Sequence, residues 1–321
     1  MDCKNNMKKF TILAMFVAVV LSVSAQYKMH VYENGKKTSF SVANVDSITF
    51  EKEDIIDNQC VGAFSVSADK QIVFSPGNLQ YTRSTDTWSF AENQYDYIGT
   101  DNVTGGSVST DATYGDSKSG TALADKVDLF GWSTSATNFG VSTSTSSSDY
   151  SGSFVDWGIN KIGNDDSNTW RTLTYDEWYY LRYNRTNAND LCGVAQVNGV
   201  NGILFLPDNW VCPADVTFKS GFYGSFDVDY YAAYQTFTSE QWAKMEAAGA
   251  VFLPAAGYRY ITYVGNVQTA GYYWSATEYD VSRAGYFVFS SDHSNMMDFD
   301  CARGRSVRLV KDLNKNIFSK Q

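Results

Sequence analysis

Apolar and polar residues alternate on both sides of Asn34-Gly35, in Lys28-Met-His-Val-Tyr-Glu and in Lys36-Lys-Thr-Ser-Phe-Ser-Val. Asn-Gly between alternating runs predicts a β-hairpin with a two-residue turn. A third short run, Val45 to Glu51, follows it. Alternation returns in residues 63–67 and 71–75 around Asp69-Lys70, and again in Asn78 to Thr82 with Thr87 to Phe90, predicting two more hairpins. At Trp170 to Tyr183 the spacing becomes helical, with Trp178, Leu181 and Arg182 on one face; Thr174 and Glu177 form a capping box. A second helix starts at Thr238 or Ser239 and ends at Gly249. Between the helices, Val200 to Asp208 carries the buried-looking run Ile203-Leu-Phe-Leu-Pro, and Val251-Phe-Leu-Pro-Ala-Ala-Gly-Tyr-Arg repeats that shape, by duplication or by shared local geometry. Tyr272 to Ser275 and Val307 to Val310 read as core strands, since both are rich in aromatic or β-branched residues.

Two stretches break the pattern. From Gly99 to Gly152 the chain is Ser, Thr, Gly and Asp, interrupted by aromatics; this predicts a long surface loop pinned to the core by Phe130, Trp132 and Phe139, with Ser142 to Ser148 as its mobile part. The other is Asp292 to Asp300, with neither a strand nor a helix period. Its mixture of polar groups with Met296, Met297 and Phe299 predicts an exposed contact loop.

The first residues add a compartment. Lys4, Lys8 and Lys9 precede the apolar run Ile12 to Leu21, and Ser22-Val-Ser-Ala25 follows, the layout of a secretory signal peptide over residues 1–25. The run is too short to span a bilayer, so no membrane span is expected. Export to the periplasm, cell surface or medium follows as the expectation. Removing three Lys and one Asp leaves 22 basic and 34 acidic side chains, a formal net charge of -12. Such a surface excludes nucleic acid and anionic lipid as partners. Abundant Tyr, Phe, Trp, Ser, Thr and Gly favour strands and ordered loops. The predicted organisation is a signal peptide (1–25), a β-hairpin unit (26–53), a linker (54–60), one large domain (61–312) and a polar tail (313–321).

Chemistry is sparse. Cys60, Cys192, Cys212 and Cys301 permit two disulfides in three pairings, or simply buried thiols, and no CxxC pair is present. His30 and His293 fall outside Ser-His-Asp or metal-ligand spacing. No catalytic residue, metal ligand or cofactor is expected.

Several blocks carry a resemblance. The segment ending in Val45-Asp-Ser-Ile-Thr-Phe resembles one found after the signal peptide in many exported proteins of gut Bacteroidetes. Trp170-Arg-Thr-Leu-Thr-Tyr-Asp-Glu-Trp, Gly249-Ala-Val-Phe-Leu-Pro-Ala-Ala-Gly-Tyr-Arg, and Tyr273-Trp-Ser-Ala-Thr with Gly304-Arg-Ser-Val-Arg-Leu-Val together resemble the Fibrobacter succinogenes major paralogous domain family, of the formylglycine-generating-enzyme-like branch of the C-type lectin fold. The resemblance covers roughly residues 61–312. It implies an α+β C-type lectin-like domain with two helices, a small twisted antiparallel sheet and long ordered loops. It also implies a ligand-binding face in the loops leading to the last strands, here Thr277 to Arg303. The branch's oxidase chemistry needs a close cysteine pair, whereas Cys301 stands alone in the terminal block. Asp292, Asn295, Asp298 and Asp300 offer oxygens for calcium, but the Glu-Pro-Asn or Gln-Pro-Asp and Trp-Asn-Asp signatures of sugar-binding C-type lectins are missing.

The expectation is therefore a non-enzymatic, exported binding protein for a protein or glycan. Tyr279, Asp280, Ser282, Arg283, Tyr286, Ser291, Asp292, His293, Asn295, Asp298 and Asp300 would supply the contacts, a mixture of amphipathic Tyr with small polar groups suited to recognition. The resemblance also points to diversity-generating-retroelement variable proteins, whose varied positions precede a strand like Gly304-Arg-Ser-Val-Arg. A structural, pilus-type assembly subunit is the alternative, and a carbohydrate-active enzyme a further one.

Overall fold

The computed structural model describes residues 28–33, 36–42, 62–102, 107–108, 125–135, 138–142, 144–224, 229–260 and 263–313. The signal peptide, the run Val45 to Glu51, the linker 54–60 and nearly all of the tail 313–321 lie outside them. The chain divides into two compact units, Met1–Ile56 and Asp57–Gln321. In the first, β1 (Lys28–Glu33) and β2 (Lys36–Ser41) pair antiparallel with Glu33 opposite Lys36, the register that an Asn-Gly turn imposes.

The second unit mixes α and β, with mostly strands, a few short helices and several small sheets. The expected hairpins are there: β3 (Phe64–Ser65) with β4 (Gln71–Phe74), and β5 (Leu79–Thr82) with β6 (Thr87–Phe90). Then come β7 (Ser107–Val108), β8 (Lys126–Val127), α1 (Tyr175–Tyr179), β9 (Cys192–Val197), β10 (Val200–Phe205), α2 (Asp229–Tyr234), β11 (Thr236–Phe237), α3 (Ser239–Ala247), β12 (Val251–Pro254), β13 (Tyr258–Tyr260) and β14 (Tyr263–Gly265). The unit closes with β15 (Ala270–Asp280), β16 (Arg283–Ser290), β17 (Ser294–Asp300) and β18 (Val310–Asp312).

Two sheets layer three apolar clusters. In the sheet β11-β9-β10-β12, strands β9, β10 and β12 are buried on both faces save at half-buried Gln196. Cys192, Val194, Ile203, Phe205, Val251 and Leu253 point to a central cluster, while Ala195, Val197, Leu204 and Phe252 point to an outer one. The period-2 side-chain alternation of a strand makes that split. The sheet β15-β16-β17 covers the central cluster from the other side with Tyr273, Phe287, Phe289 and Met296, and turns Trp274, Tyr286 and Val288 to a third cluster. Trp178 from α1 lies at the middle, its ring stacked on Phe287 at 5.2 Å and its Nε1 donating to the Trp274 carbonyl. The two Leu-Pro runs are neighbours: β10 and β12 pair antiparallel with Gly202 opposite Pro254.

Both capping boxes are formed, Thr174 with Glu177 and Thr238 with Gln241. Other elements depart from the expectation. The first helix is α-helical only to Tyr179 and continues as a π-helical turn, Tyr180–Asn184, which turns the buried guanidiniums of Arg182 and Arg185 inward. A third helix, α2, was not foreseen. Val307 to Leu309 is not a strand; the segment runs through single backbone bridges and becomes β18 only at Val310. Ser142 and Ser144, in the run expected to be mobile, are held by the buried Tyr150 hydroxyl, which donates to both their carbonyls at 2.9 Å. The supposed loop over residues 294–300 is the edge strand β17; its period was hidden because its outward positions carry Met297 and Phe299.

Of the cysteines, Cys192, Cys212 and Cys301 are free thiols, and Cys60 lies outside the described residues. No helix among the described residues is long and apolar enough to cross a membrane.

Candidate functional site

The β15–β16 hairpin ends in an irregular, exposed tip. Trp274 pairs with Tyr286 and Glu278 with Ala284, so two extra residues bulge out of β15, and one more before Asp280 pairs with Arg283. Bulges re-aim side chains and open the sheet locally. Gly285 lies beside the bulge. A Cβ there would come 2.7 Å from the Tyr175 ring, so glycine lets α1 close over the sheet. The result is a cleft of about 270 Å³ lined by Tyr175, Asp176, Thr277, Glu278, Tyr279, Gly285 and Asp298.

Arg283 organises the rim. It pairs with Asp280 at 2.7 Å and with Asp298 at 2.9 Å, and its guanidinium lies 4.5 Å from the centroid of the Tyr279 ring. The hydrogen bond from Arg283, with the Ser282 N–H behind it, holds the Asp280 carboxyl down at about 2. Asp300 faces Arg283 across the strands, and its carboxylate accepts from the Ala302 N–H.

Through the sheet, the outward row Trp274, Tyr286, Met297 leads to a different surface. Arg305 is buried there with its guanidinium 4.2 Å from the Trp274 ring centroid and 3.9 Å from that of Tyr286, and burial pulls its pKa down to about 10. Arg303 lies 3.8 Å from the Tyr260 centroid and 5.2 Å from those of Tyr258 and Phe299. Tyr258, Tyr260, Tyr263, Tyr272 and Arg303 are all half-buried.

The eleven expected contact residues do not form one site. Tyr279, Asp280, Ser282, Arg283 and Asp298 come together at the hairpin tip, with Asp300 alongside. Tyr286 and Ser291 are corrections: at 5 % and 0 % exposure they are packing residues, because they lie in the interior of the middle strand and at its buried end. Asn295 folds its carbonyl back onto the Met296 N–H. Asp292 and His293 occupy the far turn, where His293 Nδ1 lies 2.7 Å from Asp292 and 3.0 Å from Ser290 Oγ. Ser, His and Asp are present there, but both contacts use the same ring nitrogen, whereas a nucleophilic triad needs one nitrogen on each partner.

Tyr175, Tyr258, Tyr260, Tyr263, Tyr272 and Arg303 belong to these surfaces and were absent from the expected set. The recurrent Tyr of Tyr258-Arg-Tyr-Ile-Thr-Tyr263 was the available signal. The two buried thiols suit no redox role: burial foremost, then Asp300, pushes Cys301 up to about 12, and burial pushes Cys192 up to about 11. Among the described residues, no three His, Cys, Asp or Glu side chains are placed to hold a metal ion. Comparison with known proteins found no matching family model, curated protein or solved structure.

Proposed function

We propose that this chain is an exported, non-enzymatic binding protein with a C-type lectin-like domain of the Fibrobacter succinogenes major paralogous type, recognising a protein or glycan through the hairpin end of β15-β16-β17. One observation carries the reading. Of nine large apolar side chains exposed among the described residues, four fall between residues 277 and 303: Tyr279 at 61 %, Val281 at 77 %, Met297 at 44 % and Phe299 at 44 %. Tyr279 and Val281 stand at the tip beside Arg283 and the cleft, with Met297 and Phe299 on the other face of the same sheet; apolar groups concentrated in this one sheet suit a contact surface better than chance scatter does.

The assembly-subunit reading fits less well where it would rely on strand addition. The outer edge of β17 already accepts hydroxyl hydrogen bonds, from Tyr183 at the Ser294 carbonyl (2.8 Å) and from Tyr175 at the Met296 carbonyl (3.3 Å). The test is a protein-and-glycan binding screen of the intact exported chain, repeated with Tyr279→Ala and Phe299→Ala. Both side chains are largely exposed, so the melting temperature should shift by only about 2 °C or less. Binding should fall at least about tenfold. Unchanged binding by both variants would remove this surface from the function.

A further inference from the structure

Arginines in an acidic chain normally find carboxylates, and at the tip Arg283 has two. Arg303, twenty residues on, has neither an ion pair nor a side-chain hydrogen bond among the described residues. Its guanidinium is nevertheless held in place, flanked by Tyr260, Tyr258 and Phe299. A second cation lies beside it: the Arg305 guanidinium shares the Phe299 ring with that of Arg303. Arg259 bridges Gly304 in both directions, at 2.8 and 2.9 Å, but strand alternation sends its side chain to the opposite face, where its guanidinium donates to the carbonyls of Leu129 and Ser142. Arg259 and Arg305 also lack carboxylate partners among the described residues, and each keeps one buried side-chain nitrogen unbonded. Two uncompensated guanidiniums, Arg303 and Arg305, thus lie together in a protein of net charge -10.

Aromatic faces orient a guanidinium without neutralising it, leaving its planar fork free for a two-oxygen anion. The rings around Arg303 meet at steep angles: Tyr258 with Tyr263 at 70°, Tyr260 with Tyr263 at 78° and Tyr258 with Tyr272 at 81°. Such corners offer compact half-exposed faces rather than a long channel. An extended peptide would need a free strand edge or a deep anchoring pocket. On the outer edge of β17 the Ser294 and Met296 carbonyls are already taken by tyrosine hydroxyls.

We propose that Arg303, with the rings of Tyr258, Tyr260 and Phe299, forms the subsite for an acidic sugar. The anionic group of the sugar takes the Arg303 fork, and its C–H face lies against the exposed side of Phe299 and Met297. The proposal rests on the binding-protein reading above and names the ligand class at that surface. Arg305 adds a positive field from beneath and touches no ligand.

The test is calorimetric titration of the exported chain with trigalacturonate, its fully methyl-esterified form, a chondroitin sulfate tetrasaccharide, neutral maltotriose and a hexaglutamate peptide. Binding of either acidic sugar is expected, with at least about tenfold loss on esterification of the carboxylate or on Arg303→Gln, and partial recovery in Arg303→Lys. The two acidic sugars separate carboxylate from sulfate recognition. The ester comparison uses the unaltered protein, so it stands even if Arg303→Gln disturbs the fold. Equal binding of acid and ester, equal or tighter binding of hexaglutamate, or no binding of either acidic sugar at millimolar concentration overturns the proposal. A different ligand whose affinity ignores Arg303→Gln but falls in Tyr279→Ala would overturn it while leaving the binding-protein reading in place.

Discussion

Asp280 and Asp128 show opposite responses of a carboxyl group to its surroundings. Asp280 is half-buried but receives hydrogen bonds from Nε and Nη2 of Arg283 and from the N–H groups of Ser282 and Arg283, so its charged form is favoured. A carboxyl titration followed by NMR should place it near 2, and Arg283→Gln should return it toward the ordinary value near 4. Any stabilisation from this pair is present above the unfolded pKa and lost as pH falls through about 2. Asp128 is fully buried; it accepts from the Ile98 N–H at 2.9 Å and Asn102 Nδ2 at 2.8 Å, while Asn102 Oδ1 takes the N–H groups of Asp128 and Leu129. Burial outweighs those donors and raises its carboxyl to about 6. Its native pKa lies above the unfolded one, so its contribution is complete below the unfolded value and is lost as pH rises through about 6. Melting curves between pH 4 and 8 should show a stability decline on the order of 2–3 kcal/mol that disappears in Asp128→Asn. A decline that persists in the variant would assign it to another group.

At the scale of elements, local chemistry was legible where it is self-contained. Asn34-Gly35 specified its hairpin, Thr174 and Thr238 their caps, and the glycine at 249 the end of α3, because each signal acts within a few residues. Replacing Thr174 with Ala should cost about 1 kcal/mol in chemical denaturation. What was hidden depends on partners distant in sequence. β17 looked patternless because its exposed face is apolar, and the occupants of its outer edge come from more than a hundred residues away. Tyr175→Phe with Tyr183→Phe deletes both edge donors. The double variant should keep the fold, lose about 1–2 kcal/mol, and gain self-association by light scattering. A strictly monomeric double variant would mean that these hydroxyls do not guard the edge. The candidate site was legible only in part, for the same reason. Residues 277–303 were singled out, yet alternation across the strands distributes them over two faces and a far turn, and Tyr258, Tyr260 and Tyr175 arrive from other elements.

At the scale of the molecule, the segment after Arg303 joins parts that the sequence keeps far apart. Gly304, Arg305, Ser306 and Val310 bridge Arg259, Phe130, Tyr273 and Arg171 in turn, and β18 pairs with β4. Buried Arg308 donates to Asn78 Oδ1, Gln94 Oε1 and the carbonyls of Ser75, Gln94 and Phe252. Composition and periodicity identified Val307 to Val310 as core but could not reveal that its role is to connect rather than to extend a sheet. Deleting residues 304–313 should abolish the cooperative unfolding transition seen by circular dichroism; a retained sharp transition would show that the layers close without it. The same geometry orders events in time. Residues 62–303 emerge from the ribosome before their clasp exists, and β4, already paired with β3, waits through more than two hundred residues for its second partner, β18. Loop closure over that distance makes the fold a late, high-contact-order event. The β4–β18 pairing that completes the fold cannot form until synthesis has passed residue 312.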